Sequence, residues 1–167
     1  MSYRSALRPQ LLDGQVVIVT GAGSGIGRCT AHEVATLGAM PVLLGRKLEK
    51  LERVRDELAQ DGLACSLRVM DIRDATAVRE GVAAILAEHG RIDGLVNNAG
   101  GQFPSPLRDI SDKGWDAVVR NNLNGGFTVM REVYQQWRPT AAPSSTSSPV
   151  WISACPAWAT PAPRGPA

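Results

Sequence analysis

An apolar run that breaks into a glycine-dense turn constrains this chain more than any other feature. The run is Val16-Val17-Ile18-Val19, and the turn is Thr20-Gly21-Ala22-Gly23-Ser24-Gly25-Ile26-Gly27. A helix-like segment follows at once, and a second apolar run begins at Met40. Strand, tight turn and helix in that order put free backbone amides at a helix N-terminus, which is where a pyrophosphate binds. In such a unit Gly21 permits the tight turn, Gly25 lets the backbone approach the phosphates, and Gly27 lets the helix pack close to the strand. Taken alone, the same glycines also suit a turn that holds no ligand.

Hydrophobic spacing extends the pattern. Strands are expected over residues 15–20, 40–44, 65–70 and 92–96, and helices over 25–38, 47–60, 74–88 and 111 to 137. Ile26, Val34 and Leu37 fall on one face of the first helix, with Gly38 as its stop. Leu48, Leu51, Val54 and Leu58 do the same for the second, where pairs such as Glu49 and Arg53 read as a solvated face. The third carries Val78, Val82, Ile85 and Leu86 and is N-capped by Asp74. The long fourth, opened by Ser111, is expected to bury Trp115, Val118, Val119, Leu123, Phe127 and Met130. Strands alternating with helices imply an α/β chain built on a doubly wound parallel sheet of the Rossmann type. With about four to five strands that sheet is incomplete.

Composition sets the outer bounds. The 167 residues suit one domain with a real core. A net charge of +2 gives no reason to expect nucleic acid or an anionic membrane as partner. No apolar run approaches the roughly 20 residues that span a bilayer. Met1 to Pro9 has no signal-like apolar core. Three widely spaced cysteines, Cys29, Cys65 and Cys155, fit neither a disulfide framework nor a metal site, so a reducing cytoplasm is expected. After Arg138 the character changes: residues 139–167 hold seven of the eleven prolines and a single charge, Arg164. That composition divides the chain into a folded part, 1–138, and a tail, 139–167, expected to be disordered. Within the tail, Val150-Trp151-Ile152 is the one place suited to a short strand.

Four segments in order carry a resemblance. They are Thr20 to Gly27, Asp71-Ile72, Asn97-Asn98-Ala99-Gly100, and Asn121-Asn122-Leu123-Asn124-Gly125-Gly126-Phe127. Together they resemble the cofactor turn, adenine-contacting pair, NNAG segment and long-helix segment of the short-chain dehydrogenase/reductase family. The likeness runs from the first strand to about Trp137. Residues 98–106 and 111–115 look most like the trans-2-enoyl-CoA reductase branch. The resemblance implies hydride transfer between a nicotinamide dinucleotide and a small-molecule carbonyl, alcohol or activated alkene, in proteins that are usually homo-oligomeric. It implies cofactor contacts at Gly21, Ser24, Gly25, Ile26, Gly27, Arg46, Asp71, Ile72, Asn97, Ala99 and Gly100. It also implies a catalytic role for Asn122, holding a water that relays protons; no metal is involved.

The residues have their own readings beside this. Arg46 stands one place after Gly45, where an acid would meet a ribose 2′-hydroxyl; a guanidinium there favours the 2′-phosphate of NADP(H) over NAD(H), or is a plain surface arginine. Asp71 can accept from an adenine amine or cap a turn. Asn97 to Gly100 is either a ligand-binding turn or an ordinary one. Asn122, expected on the apolar face, is either the relay residue or a packed amide bonded to backbone. His32-Glu33 lacks a second zinc-binding histidine, His89 reads as a helix-end cation, and Tyr134 reads as packing.

The tyrosine–lysine pair on which that chemistry depends is missing. Neither Tyr3 nor Tyr134 is followed four residues on by Lys47, Lys50 or Lys113; Arg138 stands four after Tyr134. Ser153 superficially resembles the family's fifth-strand serine, in flanks without strand periodicity. A reading-frame slip near Arg138 accounts for the tail: in a shifted frame the codons for Thr140 to Gly165 can be read as a Gly-Gly-Ala-Ile-Val-Asn-Ile-Ile-Ala strand followed by a family-like helix start. With or without a frame slip, the fourth strand is expected to lack its usual outer neighbours, to expose apolar surface, and to impair the family's dimer interface.

Overall fold

The computed structural model describes residues 5–102, 104–136 and 150–153. The expected tail, apart from residues 150–153, lies outside the described residues, as do Trp137 and Arg138. Twelve elements follow the expected alternation. The strands are β1 (Val16–Thr20), β2 (Met40–Gly45), β3 (Ser66–Val69), β4 (Gly94–Asn97) and β5 (Val150–Ser153). Between them stand α1 (Gly25–Thr36), α2 (Leu48–Gln60) and α3 (Ala75–His89). After β4 come a 3-10 turn (Leu107–Asp109), α4 (Asp112–Val118), a π-helical segment (Val119–Gly125) and α5 (Gly126–Gln136).

All pairings are parallel, in the order β3-β2-β1-β4-β5. Successive side chains of a strand face opposite sides, so each strand feeds two cores. Val16, Ile18, Val42 and Leu44 pack with Val78, Val82 and Ile85 of α3 and Val129 and Val133 of α5. Val17, Val19 and Leu43 pack with Ala31 and Val34 of α1 and Leu51, Val54 and Leu58 of α2. That is why Val16 to Val19 reads as an unbroken apolar run: every residue of it is buried.

Strand order reverses between β1 and β4. The chain builds β1, β2 and β3 outward in one direction, then returns to place β4 on the other side of β1. Their carboxyl ends diverge there, which is where open parallel sheets hold ligands. One side chain fastens the two ends. The Thr20 hydroxyl oxygen, fully buried, accepts from the backbone N–H of Asn98 at 2.9 Å and of Ala99 at 2.8 Å. The Asn98 amide donates back to the Thr20 carbonyl at 3.0 Å. Asn97 donates to the Gly126 carbonyl at 2.7 Å and so ties β4 to the start of α5.

Several expectations need correction. Ile26 is not on the buried face of α1 but is 78% exposed, and Leu48 at the first turn of α2 is also exposed. The single helix over 111–137 is instead two α segments joined by the π-helical turn. Its expected inner face holds only in part: Met130 packs against the core and Val118 and Val119 are half-buried, but Trp115, Leu123 and Phe127 are exposed, whereas Gly114, Gly125, Gly126, Val129 and Val133 are buried. The wider π turn changes the angular step per residue, so a 3.6-residue period carried through it assigns the wrong face. Within that segment the Asn122 side-chain amide donates to the Val118 carbonyl at 2.9 Å. In an α-helix that carbonyl would accept the backbone N–H of Asn122 itself. Finally, β4 does not lack an outer neighbour: β5 pairs with it in the register Asn97 to Ser153. Ser111 and Asp74 cap their helices as expected, Asp74 accepting from the N–H groups of Thr76 and Ala77. Among the described residues no helix is long and apolar enough to cross a membrane.

The Thr20 fastening is directly testable. Thr20→Val keeps the shape but takes the acceptor from the Ala99 N–H and one of two acceptors from the Asn98 N–H, which also reaches the Val96 carbonyl at 3.1 Å, at a cost of about 1–3 kcal/mol. Urea denaturation should show that loss, and Thr20→Ser should recover most of it.

Candidate functional site

A cavity of about 350 Å³ opens over the carboxyl ends of β1 to β4. Its floor is the glycine turn after β1. Gly21 has φ +69°, and a Cβ there would stand 2.9 Å from the Asn98 amide and 3.0 Å from the Ala99 Cα. Gly27 lies behind the turn, where a Cβ would overlap the Gly21 carbonyl oxygen; close helix–strand packing depends on it. Gly25, at φ +55°, has nothing within 4 Å of its Cβ position, so the backbone there faces open space.

This opening suits an anion. Ser24 is the N-cap of α1, yet no side chain caps that end, and the first turn holds no acidic residue. Amide donors at a helix start carry partial positive charge and accept phosphate readily. Arg46, Lys47 and Lys50 border the same cavity after β2. Asp71 and Ile72, beyond β3, line its third side. Asn98, Ala99 and Gly100 close the fourth. A long dinucleotide laid from the β2–β3 edge across the turn toward β4 meets cations, amides and an acceptor in succession.

Of the expected contacts, Gly21, Ser24, Arg46, Asp71, Ile72, Ala99 and Gly100 border the cavity. Gly25 and Ile26 sit exposed at the start of α1, and Gly27 stands in the supporting layer. Asn97 departs from expectation: it is buried, its amide is spent on Gly126, and it does not line the cavity. Its neighbour Asn98 takes that place, as strand alternation dictates once β4 ends at Asn97. Asn122 is not a buried amide. It is exposed, and besides Val118 it exchanges two hydrogen bonds with the Gly101 backbone, at 3.0 and 2.6 Å. The hydrogen bonds to backbone that one sequence reading expects are present, although the residue is exposed rather than packed. It pins the loop after β4 to the π segment, and a Cβ at Gly100 would overlap the Asn122 side-chain oxygen Oδ1, so a larger residue there would displace that amide. Sequence reasoning missed Lys50 as a cavity residue; it stands one helical turn after Lys47, against Gly23.

Asp71 is electrostatically distinct. The Arg73 guanidinium grips it, and despite partial burial its carboxyl falls from the ordinary 3.8 to about 2, with Arg46 adding a smaller effect. It is an anion, and therefore only an acceptor, at any physiological pH.

His32 contacts Glu57 at 3.2 Å and His89 contacts Ser66 at 2.9 Å, both away from the cavity lining. Tyr134, half-exposed on α5, does not border it either. Ser153 stands in register with Asn97 at the end of β5, the short strand that Val150-Trp151-Ile152 suited.

Residues 15–145 match the family model described as short chain dehydrogenase. The chain is 41% identical over 128 residues to gluconate 5-dehydrogenase of Gluconobacter oxydans (strain 621H), covering 77% of this chain and 50% of that protein. It is 32% identical over 136 residues to the peroxisomal 2,4-dienoyl-CoA reductase of Danio rerio, covering 81% and 45%. A citronellol catabolism dehydrogenase of Pseudomonas aeruginosa PAO1 superposes with TM-score 0.77 at 58% identity, over 81% of this chain and 55% of that one. A metagenomic short-chain oxidoreductase in complex with NADP gives TM-score 0.67 at 39% identity, over 72% and 55%. NAD+-bound xylitol dehydrogenase gives 0.72 at 33%, over 75% and 49%. The chain spans about half the length of the curated relatives it matches. Their names cover several substrate classes, so the likeness to the enoyl-CoA reductase branch is one among several. A glycine turn at the β1–β4 switch point, a parallel sheet and a matched span of this length lead to one conclusion: the chain belongs to the short-chain dehydrogenase/reductase family.

Proposed function

We propose that this chain binds a nicotinamide adenine dinucleotide, NADP(H) in preference to NAD(H), as the cofactor-binding part of a short-chain oxidoreductase. The observation that carries the reading is the uncapped start of α1 facing a cavity bordered by three cations. The nicotinamide, when bound, supplies the hydride that such enzymes exchange with a carbonyl, an alcohol or an activated alkene. The chain's own groups bind and orient. Amides near Ser24 to Gly27 meet the pyrophosphate, Asp71 and Ile72 border the adenine end, and Gly100 borders the cavity near β4. Arg46, with no carboxylate at Gly45, meets a 2′-phosphate as a charged fork. The small-molecule substrate, the reducing cytoplasm and assembly with further copies belong to the same reading.

A second reading, binding without turnover, is favoured by one specific observation. None of the 167 residues forms a Tyr-x-x-x-Lys pair. Without a phenol whose pKa a nearby ammonium lowers, no group stands ready to exchange the substrate proton. On our reading residues 139–167 arise from a frame slip, and sequencing the coding DNA around codons 136–140 tests this directly; an intact frame in independent reads rejects it.

Two outcomes are expected. Thermal unfolding should shift upward with NADPH more than with NADH, and Arg46→Ala should weaken NADPH about tenfold or more while leaving NADH nearly unchanged. No shift with either nucleotide rejects the binding reading. The purified chain should show negligible NADPH oxidation with any ketone or enoyl-CoA; measurable turnover rejects the second reading.

A further inference from the structure

We propose that Lys50 is a specificity-determining residue: its ammonium is a second cation, beside Arg46, for a phosphate monoester on the adenosine ribose. The proposal rests on the nucleotide-binding reading and goes beyond it by moving part of the choice between NADPH and NADH from the end of β2 to the first turn of α2.

A buried leucine fixes where Lys50 stands. Leu51 is fully buried and reaches two glycines at once. A Cβ at Gly45, which ends β2, would stand 3.1 Å from the Leu51 Cδ2; one at Gly23, in the turn after β1, would stand 3.6 Å from the same atom. The Lys50 Cβ comes closer still, 2.9 Å from that position at Gly23. The first turn of α2 therefore lies directly against the glycine turn, and a side chain at Gly23 would push it away. Along that turn the contacts change sides: Gly21 faces Asn98 and Ala99 after β4, and Gly23 faces α2. Lys50 thus borders the cavity on the β2 side, with Arg46, where the two strand ends are bridged by Leu51.

Charge decides what this edge holds. Among the described residues Arg46, Lys47 and Lys50 form no ion pair, whereas Arg28, Arg73 and Arg91 each hold a carboxylate. The one carboxylate bordering the cavity, Asp71, is taken by Arg73. Lys50 is also the third residue of α2 and Lys47 its N-cap, where a cation opposes the helix dipole. That placement disfavours the empty protein and becomes favourable once an anion lies against it. A phosphate monoester carries a charge of about −1.5 to −2 near neutral pH, more than one guanidinium neutralises. Arg46 supplies a planar fork and Lys50 a point charge from the side of the glycine turn. A bare ribose 2′-hydroxyl gives neither cation a charge to meet.

The experiment uses the full chain with NADPH and NADH. Binding is followed by calorimetry at low and raised salt, and thermal unfolding of each variant is followed without nucleotide. Lys50→Met keeps an apolar stem against Gly23 and removes the charge. It should weaken NADPH about five- to tenfold and NADH less than about twofold. Lys50→Arg should keep most of the preference. Added salt should narrow the preference of the wild type more than that of Lys50→Met. Without nucleotide, Lys50→Met should unfold at the wild-type temperature or above it, because a cation has left the start of α2. A merely structural lysine would give a lower temperature. Equal losses for both nucleotides, no loss of NADPH, a lower unfolding temperature of empty Lys50→Met, or a wild type that holds NADH as tightly as NADPH would overturn the role of Lys50 and leave nucleotide binding standing. A wild-type chain that binds neither nucleotide overturns both.

Discussion

The meeting of β1 and β4 is the constraint from which the rest of this molecule follows. A sheet that grows one way from β1 and then restarts on its other side leaves a crevice at their carboxyl ends. That crevice holds shape only if the two chain ends cannot drift apart. Thr20 secures it with one oxygen and two N–H groups, and Asn98 returns the bond from its side chain. Because the hydroxyl is buried, water cannot replace the acceptor it provides. The turn of Gly21 and the packing of Gly27 then fix where α1 begins.

From that start the electrostatics are simple. The helix opens with donors that no side chain satisfies, and no acid stands in its first turn. Cations gather on the β2 side, and the single bordering carboxylate, Asp71, is already held by Arg73. Charge is thus arranged along the crevice rather than concentrated at one spot. This order suits an elongated, multiply charged ligand better than a compact one.

The long segment after β4 departs from a single regular helix around Asn122, a side chain bonded to backbone on two sides. Asn122 bonds to Val118 within its own helix and to Gly101 across from it. The helix widens to a π turn, the loop after β4 is pinned, and Gly125 and Gly126 are buried ahead of the valines Val129 and Val133 that pack on the sheet. Trp115, Phe127 and Tyr134 are exposed.

Much of the fold was legible in the residues. Unbroken apolar runs at Val16 to Val19 and Pro41 to Leu44 specified doubly covered strands, and the spacing of Leu51, Val54 and Leu58 or Val78, Val82 and Ile85 specified the helical faces, because period and burial are local properties. The placement of the glycines of the first turn, Arg46 and Asp71 at the cavity was legible for the same reason: each stands just after its own strand ends. What periodicity did not carry was the set of contacts between segments far apart in sequence. Asn97 and Asn98 differ by one residue, yet only the end of β4 decides that one ties down α5 and the other faces the cavity. The inner face of the long helix, the pairing of β5 with β4 and the placement of Lys50 beside Gly23 likewise depend on partners that arrive from elsewhere in the chain. The sequence by itself determined the elements and the anion-ready turn; the tertiary structure decided which side chains share the crevice, since that depends on register and packing rather than on spacing.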